Sequence, residues 1–259
     1  MTILERSSAT LGERLFARYA FAPNELGYCG PADAAVLFEL GVTGQADADL
    51  VPVARRFSGA WPYLVLLAEL SQIADPLDVQ VVRAYWTGDP LLDQIDRQRF
   101  GSRLIEFIGG QAGHYWQHLN GELLPEASPT HGFHVFGVYP WSRLLIRAPE
   151  LSLRVLDNCR IRWGQVIDSR DGQVRVRCRR LTWDGYRLRL DRPRVESVRS
   201  AIDGRGFVIE PVAGQWLALH WDWVCDRLTD DQRLELQRRT GWQLRATNAR
   251  LARQLAVAG

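Results

Sequence analysis

Apolar positions in the first half of the chain recur at spacings of three and four. Residues 11–19, 32–40, 50–57, 61–73 and 79–86 each carry this period, which predicts a series of amphipathic helices. Glycine and proline interrupt the pattern at Pro23, at Gly27 through Pro31, at Gly59, at Pro76 and at Gly88 through Pro90. Further helical stretches are predicted over 91–95 and 99–119. Segments this short bury their apolar stripes only against one another, so the pattern implies a compact bundle.

A different period sets in near Pro125. The stretch 133–139, Phe-His-Val-Phe-Gly-Val-Tyr, is rich in β-formers and is predicted as strand. From Cys159 apolar and polar residues alternate: Ile161, Trp163 and Val166, then Val174, Val176 and Cys178. Arg162, Arg175, Arg177, Arg179, Arg187 and Arg189 occupy the charged faces of these strands. Asp171-Gly172 and Asp184-Gly185 are hairpin turn signals. Another strand is predicted over 215–219. Thr229-Asp230-Asp231-Gln232 then forms a capping-box pattern, followed by Leu234, Arg238, Trp242, Arg245, Leu251 and Leu255 at helical intervals. The fold class read from these periods is α+β. A bundle of short helices over 1–125 precedes a small β-barrel of the OB or SH3 type with a terminal helix over 126–259.

Composition narrows the chemistry. The 259 residues carry a net charge of +2, so no general electrostatic case exists for nucleic acid or a membrane surface. Every basic residue is arginine, which excludes a Schiff-base or P-loop lysine. Residues 1–10 are polar and do not resemble a signal peptide, and no run is long and apolar enough to span a bilayer. The four cysteines (Cys29, Cys159, Cys178 and Cys225) form no CxxC pair, so reduced thiols in the cytoplasm are expected. Ten tryptophans, some clustered as in His220-Trp221-Asp222-Trp223, supply either core or a partner surface.

Several residue sets carry candidate chemistry. Cys29-Gly30-Pro31 before an apolar helix places a thiol at a helix N-terminus, where the dipole and unpaired amides lower its pKa. Tyr-Cys-Gly-Pro-Ala before a helix resembles the start of some papain-like peptidases. That resemblance implies a cysteine hydrolase or acyltransferase with Cys29 as nucleophile, His134 as base and Asp157 or Asn158 as the orienting group. His131 and His134 are three apart and share no face of the predicted strand. His114 and His118 are four apart and share a helix face that can chelate a metal. The arginine-studded strands read as a solvated sheet face, or as a surface for an acidic partner.

A family resemblance enters in the second half. Cys159-Arg-Ile-Arg-Trp-Gly164-Gln-Val166-Ile-Asp168, then Gly214-Gln-Trp-Leu-Ala-Leu-His220, then an acidic helix start, follow one another in order. Over residues 156–256 this arrangement resembles the small [NiFe]-hydrogenase maturation chaperones of the HypC/HupF type. The resemblance implies a β-barrel with a closing helix, and a functional pair at Cys159 and His220. It further implies that this pair holds iron, transiently, as a cyanide and carbonyl complex. The implied partner is a hydrogenase large subunit or another maturation protein, with the helical half recognising the client. Cys159 is internal here, whereas the family's cysteine opens the mature chain. The whole chain also resembles a mainly actinobacterial, hydrogenase-associated family through the segment from Tyr19 to Pro31 and through His220-Trp-Asp-Trp. A metal-free structural interaction protein is the bland alternative.

Overall fold

A computed structural model of the chain describes residues 10–45, 49–109 and 121–258. Helix α1 (Leu11–Glu25) starts in a capping box, with Thr10 Oγ1 accepting from the Glu13 amide and the Glu13 carboxylate accepting from the Thr10 amide. The helix runs through Pro23 instead of ending before it. Proline has no amide hydrogen, so the Tyr19 carbonyl one turn earlier loses its normal partner. His220 takes that place: its Nδ1 donates to the Tyr19 oxygen at 2.7 Å.

The rest of the bundle follows the predicted periodicity closely. α2 (Ala34–Thr43), α3 (Leu50–Arg55), α4 (Trp61–Leu70) and α5 (Val79–Trp86) are separated by the expected breaks. A 3-10 turn (Pro90–Gln94), α6 (Arg97–Gly109) and a second 3-10 turn (Gly121–Glu126) complete it. His114 and His118, the candidate chelating pair, lie outside the described residues.

The stretch 133–139 is not a strand. It belongs to one helical segment, an α turn α7 (His131–Phe133) leading into a π turn (His134–Val138). Every side chain of the π turn is buried, so packing overrides the β-propensity of its valines and aromatics. The wide turn also leaves carbonyls for other donors. The Phe136 oxygen accepts from Ser142 Oγ at 2.6 Å and from Arg250 Nη2 at 2.8 Å. α8 (Trp141–Leu144) and α9 (Pro149–Cys159) then lead into the sheet.

Five strands close a barrel in the order β1-β2-β5-β7-β6, with β6 pairing back onto β1. They are β1 (Arg162–Arg170), β2 (Gln173–Cys178), β5 (Arg194–Arg199), β6 (Trp216–His220) and β7 (Trp223–Leu228). A separate hairpin, β3 (Leu181–Trp183) with β4 (Leu188–Leu190), is inserted between β2 and β5. The fold is therefore α+β, as the two periods require. Asp171 and Gly172 both take positive φ in the turn joining β1 to β2, which is the geometry their sequence signals.

Alternation places Val174, Val176 and Cys178 inside the barrel while Arg175 and Arg177 face water. Gly164 sits where a Cβ would approach the Val176 Cβ to 2.9 Å, so the narrow interior admits only glycine at that point. Arg162 departs from the predicted charged face. It is 1% exposed, pairs with Glu196 and donates to the Trp221 carbonyl.

The main apolar cluster joins both halves of the chain. Phe21 of α1 meets Trp223 of β7 edge-on at 5.0 Å, and Tyr19 stacks on Trp86 at 5.5 Å. Trp86, Trp163, Trp221 and Trp223 are all buried, so these tryptophans serve packing and do not form an exposed partner surface.

The terminal helix α10 (Asp230–Ala258) opens on the predicted capping box, with the Gln232 amide donating to Thr229 Oγ1 at 3.2 Å and the Thr229 amide donating to Gln232 Oε1 at 2.9 Å. It carries Arg250 into the interior against Glu126, with the two side chains 4% and 3% exposed. Asn248 meanwhile donates to the Leu188 carbonyl and accepts from its amide, capping the β4 edge. Arg250→Ala strands the Glu126 carboxylate in the interior and is expected to lower stability by about 3–5 kcal/mol. The double variant Glu126→Gln/Arg250→Met recovers much of that loss. Equal urea midpoints for wild type and Arg250→Ala would contradict this role for the pair.

Candidate metal centre

Three segments distant in sequence bring their ends to one place. His131 opens α7, Cys159 closes α9, and His220 ends β6. One ligand atom from each lies within 4.8 Å of the others, and Cys159 Sγ is 4.0 Å from His131 Nε2. Alternation in the sequence predicts Cys159 in a strand. It is instead the last residue of a helix, and the barrel begins three residues later. The predicted pairing of Cys159 with His220 is nevertheless what the fold brings together.

On the predicted strand His131 and His134 would diverge, but in a helical turn residues three apart share a face. The rings of His131 and His134 are 5.6 Å apart and nearly parallel, and both line the same cavity. Thr130, a cap-type residue before an apolar run, is the signal in the sequence that points to this turn.

The cavity offers about 200 Å³ between the bundle, α9 and the end of β6, and is partly open to solvent. Its walls are largely aromatic and apolar, and its lining includes Cys29 and Tyr139 besides the three imidazoles and Cys159. No carboxylate lines it among the described residues. At its rim Tyr28, half exposed, stacks on Trp221 at 4.1 Å. Trp221 has φ +56°, a left-handed backbone that is strained for a bulky side chain. Bonds from its amide to the Asn158 carbonyl at 2.8 Å and from Arg162 to its own carbonyl hold it there.

The imidazoles are oriented by backbone and hydroxyl partners. The bond from His220 Nδ1–H to the Tyr19 carbonyl leaves Nε2 as a bare lone pair, buried and without a hydrogen-bond partner. His131 Nδ1 lies 3.0 Å from the Tyr85 hydroxyl, and its Nε2 lies 2.9 Å from the Cys159 carbonyl oxygen. Two proton arrangements are open to this ring, and only the first satisfies both contacts. In one, Nε2–H donates to the carbonyl and Tyr85 donates to Nδ1. In the other, Nδ1–H donates to Tyr85, whose hydroxyl donates onward to the Gly59 carbonyl at 3.2 Å. The second sets an Nε2 lone pair against the Cys159 carbonyl oxygen, an unfavourable contact that a cation bound at Nε2 would relieve.

Gly59 also packs against His134, where a Cβ would lie 2.5 Å from Cε1 and 2.7 Å from Nε2. His134 Nδ1 is buried and unpartnered.

Burial sets the charge state of every group here. Desolvation pushes His220 down to about 4 and His134 to about 3, and holds His131 well below its ordinary value. It pushes the Cys29 thiol up to about 12, and Cys159 up likewise, with Cys29 adding to the latter shift. The cavity therefore holds neutral imidazoles and neutral thiols. A cation bound among them would reverse the thiol preference by holding the thiolate.

The same facts correct the nucleophile reading. Cys29 is not at a helix N-cap. It sits in the turn after α1, its amide bonded to the Pro23 carbonyl, while α2 begins at Ala34 beyond Asp33. Its thiol is raised in pKa where activation requires lowering. His134 does line the same cavity. Asp157 does not: its carboxylate accepts from Arg160, Arg180 and the Leu181 amide, tying α9 to β3. The alternative orienter Asn158 likewise accepts from Arg180 through its Oδ1 at 2.8 Å, so both candidates for the third position of that triad are engaged elsewhere. All four cysteines are free thiols.

The chain belongs to DUF6390, a family of unknown function. The family model matches residues 8–254, which includes every residue of the centre. No curated protein and no solved structure matches the chain. Among the described residues no helix is long and apolar enough to cross a membrane.

Acidification tests the buried imidazoles. Below the ordinary histidine value of 6.5 the unfolded chain takes up protons that the native rings refuse until about 4 or lower. Stability is therefore complete above 6.5 and lost as the pH falls from there, by ~1.4 kcal/mol per pH unit for each buried ring. Urea midpoints at pH 7, 6 and 5 should fall in that order, and less steeply in His134→Phe. A flat series would show the rings to be solvated.

Proposed function

We propose that this protein is an accessory factor for metal-centre assembly that holds a transition-metal ion on Cys159, His131 and His220. The convergence of one thiol and two imidazole nitrogens in a cavity with no carboxylate among its described lining residues carries this reading. Thiolate and imidazole are soft-to-borderline donors that favour iron, cobalt, copper or zinc over calcium or magnesium. Three protein ligands leave coordination positions open, which suits a site that must accept and surrender its metal. Tyr85 and the Tyr19 carbonyl would orient the two rings from behind.

The fuller form of the proposal is [NiFe]-hydrogenase maturation. Iron with cyanide and carbon monoxide ligands is then the cargo, and the hydrogenase large subunit or another maturation protein is the partner. Its support is the order of motifs from Cys159 to His220 and a closed barrel with a terminal helix. His131 enlarges the implied ligand pair to three. A cysteine hydrolase acting through Cys29 needs a thiolate and imidazolium together, and burial drives both groups toward their neutral forms.

Anaerobic titration with cobalt(II) reads the site directly. A thiolate-to-cobalt charge-transfer band is expected, absent in Cys159→Ser, with affinity weakened roughly ten- to a hundred-fold in Tyr85→Phe. An unchanged band in Cys159→Ser would sink the ligand assignment. For the hydrogenase form, protein isolated with its cellular partners should show cyanide and carbon monoxide stretches in the infrared that Cys159→Ala abolishes. A loaded protein lacking those bands would retain the metal site and lose the iron cargo.

A further inference from the structure

Charge balance in the cavity leads beyond the ligand set, provided that the proposed metal site holds. A divalent ion on Cys159, His131 and His220 is offset by a single thiolate, because both imidazoles bind as neutral rings. One positive charge then remains among Phe57, Trp86, Trp141 and Trp221, with no aspartate or glutamate along the lining. An unbalanced charge in such surroundings is costly, and the described lining supplies nothing fixed to cancel it. The space is also far larger than the ion requires. A water molecule claims about 30 Å³ in the liquid, whereas the cavity offers about 200 Å³.

Three unpartnered buried nitrogens besides the ligand set belong to residues of this lining: His134 Nδ1 and the indole N–H groups of Trp86 and Trp221. His134 Nδ1 is buried without a partner on a ring that lines the cavity. Its ring is fixed on three sides by Gly59, by Tyr139 at 4.2 Å and by Tyr63 edge-on at 5.8 Å. His134 is not within the group of three that can share an ion. A neutral imidazole that carries its proton on Nδ1 is a hydrogen-bond donor without an acceptor in the protein.

We infer that the centre binds its metal together with a small monoanion, which takes an open coordination position and accepts a hydrogen bond from His134 Nδ1. The anion neutralises the residual charge, occupies the apolar remainder of the cavity and is enclosed behind the Tyr28–Trp221 stack. His134 is a positioning residue for this exogenous ligand and not a ligand of the metal. The competing way to balance the charge is a second thiolate from Cys29, which lines the same space.

Azide is the probe, added to the full chain loaded with cobalt(II). In the wild type, azide should shift the cobalt ligand-field bands and its own asymmetric stretch should move on binding. His134→Phe should take up cobalt with unchanged affinity while binding azide roughly ten- to a hundred-fold more weakly. His134→Asn, which restores a donor amide, should recover part of that loss and guards against a misfolded phenylalanine variant. Cys29→Ala should leave both cobalt and azide binding intact. The inference is overturned if azide does not bind the loaded wild type, or if His134→Phe binds it as tightly. It is also overturned if Cys29→Ala removes half of the thiolate-to-cobalt intensity, since the fourth ligand is then Cys29. Failure of the wild type to take up cobalt would instead defeat the ligand set itself, and this inference with it.

Discussion

The Tyr19 carbonyl is the hinge on which both fold and site turn. Pro23 deprives that oxygen of its helical donor, and an unpaired carbonyl in the centre of a protein is costly. The His220 ring supplies the missing proton from 201 positions further along the chain. One bond thereby anchors the end of a barrel strand to the first helix and sets which nitrogen of His220 remains open. Around it the aromatic packing of Phe21 on Trp223 and Tyr19 on Trp86 makes the joint rigid. The residue that damages the helix is the one that creates the receptor for the histidine.

Charges are sorted with equal strictness. Arginines are placed where carboxylates meet them: buried Arg160 and half-buried Arg180 on Asp157, buried Arg162 and again Arg180 on Glu196, and buried Arg250 on Glu126. Planar guanidinium groups satisfy several acceptors at once, which explains how an all-arginine chain can bury so many of them. The cavity is kept outside this network. With carboxylates and guanidinium groups excluded, its thiols and imidazoles stay neutral and close together without mutual repulsion.

Much of the fold is readable from periodicity. The helices at 34–43, 50–55, 61–70 and 79–86, the Asp171-Gly172 turn and the Thr229 capping box all follow from local rules. So do the alternating strands of the barrel, whereas the pairing of Cys159 with His220 is visible only through the order of motifs. The failures share a cause. Residues 133–139 have the composition of a strand, yet Phe133 through Val138 are all buried, and α10 supplies an arginine for the carbonyl that a π turn exposes. No window of a dozen residues contains that information. Misjudging this turn hides His131, because the same two histidines diverge on a strand and stack on a helix. The expectation for Cys29 fails in another way: Pro31 does not start the next helix, which begins only after Asp33.

The partners of Arg250 have a bearing on timing. Glu126, Ser142 and the Phe136 carbonyl hold the segment that carries His131, and all of them wait for a side chain near the end of the longest helix. A polypeptide still emerging from the ribosome reaches His220 well before it reaches that arginine. Until then Glu126 lacks its ion-pair partner and the turn bearing His131 lacks this clamp. The pocket is thus completed only when the helix carrying Arg250, 119 positions beyond His131, has folded back onto the turn that bears this histidine.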